Sequence, residues 1–191
     1  MRFVVAVDTQ ADFMEHDGAL AVDGADALIG PMRAWLAALQ PAETAGVLFT
    51  FDTHEPDRFA GSEEAKLFPL HCARGTAGWG NVLDPATLHP AIARYRLEKG
   101  VFDMWAEPGL TIEAADGSTV DRDRFFAGLK AAGITEMIVI GVAADYCVRW
   151  ALAGLVERGF HCTVPSWLTR GIERQIDAVA RDEFGDGVVV A

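Results

Sequence analysis

Three residues with reactive side chains, widely separated in the sequence, each follow an apolar run. Asp8 and Lys99 come directly after such runs, and Cys147 lies just past another, where a helical pattern begins. A cysteine attacks as its thiolate, and a nearby ammonium and a helix N-terminus both lower the thiol pKa. Lys99 could supply the ammonium, and Asp8 could accept the thiol proton and return it to a leaving amine. These residue types therefore favour nucleophilic cleavage of an amide.

Each of these residues also has a plainer interpretation. Asp8 could cap a turn, Lys99 could be a solvated surface lysine, and Cys147 could be an inert buried thiol. The stretch GVAADYC adds a further element, because its small residues allow a sharp turn in which the N–H groups of Ala143 and Cys147 could converge on an oxyanion. An ordinary turn capped by Asp145 explains the same stretch equally well.

A second group of polar residues lies in the stretch FTFDTHEPDRF…LFPLHC. Asp52 and His54 are two apart in an extended segment, so their side chains point the same way, and His71 can return to them along the loop. Carboxylate oxygen and imidazole nitrogen suit Zn²⁺, Fe²⁺ or Mn²⁺. Hydrogen bonding within the loop accounts for the same residues equally well. The residues alone therefore leave a metal site and a loop network open.

The elements that must position these side chains are short apolar, β-branched runs that alternate with longer helical patterns. That alternation is typical of an α/β fold built on a parallel sheet. Ligands bind beyond the carboxyl ends of parallel strands, so the reactive residues that follow the strands are expected at one edge of the sheet. The pattern predicts strands over 3–7, 45–51, 93–98, 136–142, 160–165 and 187–190, and helices over about 24–39, 121–132, 146–158 and 170–183.

Composition narrows the class of protein. The chain has 191 residues, 51% of them apolar, which predicts one domain over residues 1–191. Its net charge of −12 comes with scattered lysines and arginines, which argues against a nucleic-acid partner. The longest apolar run, MIVIGVAA, is far shorter than the roughly 20 residues of a membrane helix, so no membrane partner is expected. With no targeting segment and three cysteines outside any CxxC pair, a cytoplasmic location is predicted.

Three motifs together resemble the isochorismatase-like cysteine hydrolase superfamily. They are VDTQADF, EKG and GVAADYCVRWALAGLVERGF, in the order and at the spacing of that family, and the resemblance covers nearly the whole chain. It implies a three-layer α/β/α fold with a six-stranded, mainly parallel, Rossmann-like sheet. It also implies a catalytic triad of Asp8, Lys99 and Cys147, and a cis peptide bond between Val142 and Ala143.

The loop is similar to that of the nicotinamidase (pyrazinamidase) branch of this superfamily. That branch carries Asp-x-His and a later histidine, matched here by Asp52, His54 and His71, and the resemblance implies one divalent metal ion, Zn, Fe or Mn. Many members have another histidine where this chain has Arg58. The run EEAKLFPLH resembles members in which a glutamate takes that place, here Glu64. Its nearby competitors are Glu55, Asp57 and Glu63.

The resemblance implies a metal-containing amidohydrolase, with nicotinamidase favoured: nicotinamide and water give nicotinate and ammonia through a thioester. The expected partner is a small amide substrate, and homo-oligomerisation is left open. One alternative is a relative that acts on a ureido, carbamoyl or maleamate-like amide, and a remote one is a non-catalytic, redox-responsive thiol module. Aromatic walls for the substrate ring are predicted from Phe13, Phe68, Trp105 and Tyr146, although VFDMWAEPG does not closely match the nicotinamidase pattern.

Overall fold

A nine-stranded sheet with helices on both faces forms the framework of the molecule, a computed structural model that describes residues 1–191. The strands are β1 (Arg2–Val7), β2 (Thr44–Asp52), β3 (Ala93–Lys99), β4 (Thr111–Ala114), β5 (Thr119–Asp121), β6 (Glu136–Val142), β7 (His161–Val164), β8 (Thr169–Arg170) and β9 (Val188–Val190). The helices are α1 (Ala11–Met14), α2 (Ile29–Ala37), α3 (Pro56–Phe59), α4 (Arg122–Ala131), α5 (Cys147–Glu157) and α6 (Ile176–Glu183).

The strand order is β5-β4-β3-β2-β1-β6-β7-β9, and β8 pairs with the end of β6. The six predicted strands correspond to β1, β2, β3, β6, β7 and β9, and all pairs among them are parallel. The strand count of six is wrong because β4, β5 and β8 are only two to four residues long and carry no long apolar run. Because β2 and β6 flank β1, the order reverses at β1, and a ligand crevice is expected at its carboxyl end.

The two faces of the sheet bury separate apolar clusters. Along β1, Phe3 and Val5 face one cluster and Val4 faces the other, as the two-residue period of a strand requires. The first cluster includes residues of α4, α5 and α6, and the second includes residues of α2. The fold is therefore the expected three-layer α/β/α arrangement. No helix combines the length and the apolar character needed to cross a bilayer.

The helix predictions hold for α4 and α5 but need correction at α2 and α6. The helix predicted over 24–39 is a 3₁₀ turn over Asp26–Leu28 followed by α2. The helix predicted over 170–183 begins only at Ile176, because the backbone N–H groups of 172–174 donate to the carboxylate of Asp145, which lies outside the helix. Helix α5 ends at Glu157, and Gly159, with a φ of +76°, stops it just beyond the C-cap residue, as expected.

Candidate active site and metal centre

Asp8 lies directly after β1, at the switch point of the sheet, and is fully buried. Its φ of +48° is in the left-handed region, and a pair of contacts with Thr50 of β2 fixes it there. The Thr50 hydroxyl donates to Asp8 Oδ1 at 2.6 Å and accepts the Asp8 N–H at 3.1 Å. Gly141 of β6 permits the neighbouring strand to come close, because a Cβ there would lie 2.0 Å from the carbonyl oxygen of Val7.

Lys99, the last residue of β3, contacts three functional groups at once. Its Nζ lies 2.8 Å from Asp8 Oδ2, 3.4 Å from Asp52 Oδ1 and 3.5 Å from Cys147 Sγ. Burial works to lower the Lys99 pKa, but the carboxylates of Asp52 and Asp8 hold it well above its usual range. The ammonium therefore keeps its charge. The structure thus brings together the three residues predicted as a triad.

The thiol of Cys147 differs from the sequence-based expectation. Burial raises its pKa well above the ordinary value, and although the ammonium of Lys99 works to lower it, the carboxylates of Asp8 and Asp52 raise it further. The expectation of a thiol pKa lowered by an ammonium and a helix N-terminus is therefore wrong for this structure. The cysteine rests as a thiol, so attack on a substrate requires a partner that accepts its proton.

The backbone N–H groups of Ala143 and Cys147, at the turn into α5, are among those that have no acceptor within the protein. By contrast, the N–H groups of Tyr146 and Val148 both donate to the carbonyl of Ala143. The peptide bond between Val142 and Ala143 is cis, as the resemblance implies. A pair of free N–H groups beside a thiol is an arrangement that can receive an oxyanion.

The four predicted metal ligands form one buried cluster. The ligand atoms of Asp52, His54, Glu64 and His71 all lie within 4.8 Å of one another. Asp52 Oδ2 is 3.1 Å from His54 Nε2 and 3.2 Å from His71 Nε2, and Glu64 Oε1 is 3.3 Å from His71 Nε2. Two imidazole nitrogens and two carboxylate oxygens form a donor set that suits a divalent metal.

The charges and hydrogen bonds of this cluster fit a bound cation. His71 Nδ1 pairs with the carbonyl of Pro69 at 2.8 Å, so that a proton on Nδ1 leaves Nε2 free to act as a ligand. Burial disfavours charged imidazoles, yet the contacts with Asp52 and Glu64 raise the pKa of His54 to about 9 and that of His71 to about 10. Buried Glu64 Oε1 accepts no hydrogen bond. The site therefore attracts positive charge strongly.

Of the four acids considered for the fourth metal ligand, Glu55, Asp57, Glu63 and Glu64, only Glu64 turns into the cluster. It opens a 3₁₀ turn over Glu64–Lys66 and is 6% exposed. By contrast, Glu63 is exposed and pairs with Lys66 at 2.5 Å, and Glu55 pairs with Arg74 at 2.7 Å. The remaining competitor, Asp57, and the non-ligating Arg58 are both exposed on α3.

These features agree with the comparison to known families. The family model described as the isochorismatase domain matches residues 2–179. The chain belongs to the isochorismatase family. The resemblance drawn from the three sequence motifs is thereby confirmed.

This isochorismatase-family chain is similar to enzymes of known activity. It is 32% identical to the nicotinamidase/pyrazinamidase of Mycobacterium tuberculosis over 96% of this chain and 94% of the relative. The pyrazinamidase of Pyrococcus horikoshii in complex with zinc matches with a TM-score of 0.74 and 20% identity, covering 100% of this chain and 98% of that one. PnC1 from L. infantum in complex with nicotinate matches with a TM-score of 0.72 and 24% identity, over 100% and 92% of the two chains. These structures share the fold.

Two residues that position Asp8 and Asp52 in this isochorismatase-family protein were not predicted from the sequence. One is Thr50, which orients Asp8. The other is Gln10, whose fully buried amide accepts the Asp52 N–H at 2.7 Å and donates to the Asp52 carbonyl at 2.8 Å and the Trp79 carbonyl at 3.0 Å. The hydrogen-bond partners of Gln10 lie 42 and 69 residues away, so no local pattern could reveal its role. Its position in the motif VDTQADF was the only signal in the sequence.

The predicted aromatic walls are only partly brought to the site. The Phe13 ring lies 5.1 Å from that of His71, and the Phe68 ring lies 5.4 Å from that of Tyr146. Phe102, which was not predicted, contacts both Phe68 and Tyr146.

Trp105 does not join this aromatic group, so its assignment as a pocket wall needs correction. Its indole N–H donates to the carbonyls of Trp150 and Ala151 in α5, and its ring packs against Phe126 of α4. Gly154 permits this contact, since a Cβ there would lie 2.2 Å from the indole nitrogen. Trp105 therefore packs between α4 and α5.

Replacing Glu64 with glutamine should weaken metal binding while leaving the shape of the site intact. The amide oxygen keeps the position but loses the negative charge, so affinity for Zn²⁺ should fall by at least about 100-fold, the upper range for groups that only support a ligand. Competition with a chromogenic chelator measures this affinity. Glu63→Gln, in the neighbouring exposed residue, is the matched control and should bind Zn²⁺ like the unaltered protein. Equal affinities for the two variants would contradict the role of Glu64.

Proposed function

We propose that the protein is a nicotinamidase, which hydrolyses nicotinamide to nicotinate and ammonia through a thioester on Cys147. The observation that carries the proposal is the position of Lys99, whose ammonium contacts Asp8, Cys147 and the cluster residue Asp52. A nucleophile and a candidate metal site thus share one buried ion network. The similarity to the nicotinamidase/pyrazinamidase of Mycobacterium tuberculosis supports the same substrate class.

The first chemical step needs a proton acceptor, because the Cys147 thiol is held protonated. Asp8 takes the thiol proton as the sulfur attacks the amide carbon, forming the C–S bond while the carbonyl π electrons move to oxygen. Lys99 remains an ammonium between Asp8 and Cys147 and stabilises the negative charge that passes between them.

The oxyanion that forms accepts hydrogen bonds from the free N–H groups of Ala143 and Cys147. When the tetrahedral intermediate collapses, the C–N bond breaks and Asp8 gives its proton to the departing nitrogen, which leaves as ammonia. Water then attacks the thioester carbon as Asp8 removes its proton. Collapse of that second intermediate breaks the C–S bond, and the proton returns to the sulfur of Cys147.

The cluster of Asp52, His54, Glu64 and His71 is proposed to hold one divalent ion, Zn, Fe or Mn. The zinc complex of the Pyrococcus horikoshii pyrazinamidase supports zinc among these. A bound divalent metal supplies an electron-pair acceptor for the pyridine nitrogen of the substrate. Phe13, Phe68 and Tyr146 are proposed to flank the ring, and together these contacts orient the carboxamide toward Cys147, which can lower the barrier by several kcal/mol.

An ammonia-release screen tests this function. The purified, metal-loaded protein should turn over nicotinamide and pyrazinamide far faster than ureido, carbamoyl or maleamate-type amides. Faster release from one of those other amides would replace the substrate assignment. Absence of release from every amide, together with peroxide-sensitive partner binding, would instead favour the non-catalytic thiol module.

Several broader predictions accompany the proposal. One domain over residues 1–191 is supported by the single sheet that contains all nine strands. We also propose, from the sequence, a cytoplasmic location and a small-molecule amide as the only partner. The oligomeric state is left open.

A further inference from the structure

The turn between β6 and α5 is held by a separate part of the chain, residues 169–174, here termed the bracing segment. The Thr169 hydroxyl donates to the carbonyl of Gly141 at 2.7 Å. The N–H of Ala144 donates to the carbonyl of Arg170 at 2.8 Å. The backbone is therefore tied to the bracing segment on both sides of the free N–H of residue 143.

Asp145 adds three hydrogen bonds to the same bracing segment. Its Oδ1 accepts the N–H of Ile172 at 2.9 Å, and its Oδ2 accepts those of Glu173 at 2.7 Å and Arg174 at 2.9 Å. Three consecutive N–H groups wrapped around one carboxylate form an anion-binding concavity. Gly171 makes this fold of the backbone possible, because a Cβ there would lie 1.9 Å from the carbonyl oxygen of Arg174.

The bracing segment is itself anchored on its far side. The guanidinium of Arg174 pairs with Glu183 at 2.9 Å and with Asp182 at 3.0 Å, both in α6. Glu183 also pairs with Arg149 of α5. Asp145 therefore ties the turn to a segment that is fixed to two helices, not to a loosely held loop.

We infer that Asp145 is a positioning residue for the two N–H groups, of Ala143 and Cys147, that receive the oxyanion. It lies between them in the sequence, and its side chain does not cap α5 but binds the bracing segment. Donors of this kind stabilise a developing charge only when they are held in place beforehand. The inference rests on the proposed function, because it concerns the oxyanion of that reaction.

The sign of the expected effect separates positioning from a simple charge effect. A carboxylate near a developing oxyanion would repel it, so if its charge were the main influence, neutralising Asp145 would raise kcat. If Asp145 acts by holding the turn, neutralising it lowers kcat, because an amide nitrogen in place of a carboxylate oxygen cannot accept N–H hydrogen bonds.

The test compares Asp145→Asn with the unaltered, metal-loaded protein. The kcat for nicotinamide should fall by about 10- to 100-fold, somewhat less than the loss expected when an oxyanion donor is removed outright. KM should change by less than about twofold, since the N–H groups engage the oxyanion and not the bound ring. The Cys147 thiol should add to the aldehyde carbon of nicotinaldehyde, with its proton passing to the aldehyde oxygen, and this tetrahedral oxygen would face the N–H pair. Affinity for nicotinaldehyde should therefore fall in proportion to kcat. Nicotinate affinity should stay the same.

Asp121→Asn is the matched control. Asp121 accepts the N–H of Arg124 at 3.0 Å as the N-cap of α4, and asparagine caps a helix about as well, so this variant should keep both its melting temperature and its kcat. If Asp145→Asn does not fold, Thr169→Val provides the same test, because it removes only the hydroxyl that donates to the carbonyl of Gly141. The expected fall in kcat is then smaller. An unchanged or increased kcat, or equal losses of nicotinaldehyde and nicotinate affinity, would overturn the inference alone. No ammonia release by the unaltered protein would overturn the proposed function as well.

Discussion

Replacing Cys147 with alanine should lower the rate of ammonia release by about 10⁴-fold or more, because no other group can form the thioester. The thiol sulfur lies 3.5 Å from Lys99 Nζ, and neither of the two other cysteines, Cys72 and Cys162, is assigned a chemical role. Cys147 is not one of the four proposed metal ligands, so the variant should still bind one equivalent of Zn²⁺. Single-turnover assays and metal analysis on the same sample measure both outcomes.

Cys162→Ala is the matched control for this experiment. Cys162 is also a buried thiol, and burial raises its pKa to about 12, but it lies in β7. Its loss should reduce stability slightly and leave turnover unchanged. If Cys147→Ala kept more than a few per cent of the activity, the covalent mechanism would have to be abandoned.

Replacing Asp8 with asparagine should separate amide hydrolysis from thiol reactivity. Asparagine can keep the hydrogen bond from the Thr50 hydroxyl but cannot accept a proton, so kcat should fall by about 10³-fold, within the range for loss of a general base. Burial raises the Cys147 pKa most, and the Asp8 carboxylate raises it further. Removing that carboxylate should therefore lower the thiol pKa, because Lys99 then stabilises the thiolate without opposition from Asp8.

Alkylation by iodoacetamide at a series of pH values measures this second effect. The pH at which Cys147 reacts at half its maximal rate should move downward in Asp8→Asn, while hydrolysis nearly disappears. The reactions should be followed in a Cys72→Ala, Cys162→Ala background so that only one thiol is alkylated. A half-maximal pH that moves upward, or an activity loss below about tenfold, would show that Asp8 is not the proton acceptor.

Much of the fold follows from local patterns. The six predicted strands follow from apolar, β-branched runs, and the bounds of α4 and α5 agree with the predicted helices to within one residue at each end. The strands β4, β5 and β8 could not be predicted, because their two to four residues carry no apolar run, whereas the equally short β7 and β9 lie in the β-branched stretches over 160–165 and 187–190. The start of α6 was predicted too early because Asp145, distant in sequence, determines the path of residues 172–174.

The sequence by itself determined the composition of the candidate site. The rule that ligands bind beyond the carboxyl ends of parallel strands is enough to expect Asp8, Lys99 and Cys147 at one edge of the sheet. The Asp-x-His spacing likewise indicates which residues could bind a metal. These conclusions depend on strand period and chain order, which a sequence displays directly.

The tertiary structure alone decided how those groups act on one another. It turns Glu64 inward and its neighbour Glu63 outward, and it places Trp105 between two helices and away from the site. It also holds the Cys147 thiol protonated, because burial and two carboxylates outweigh one ammonium. Burial and electrostatic interaction depend on distances between residues far apart in the chain, and those distances exist only once the strands are assembled.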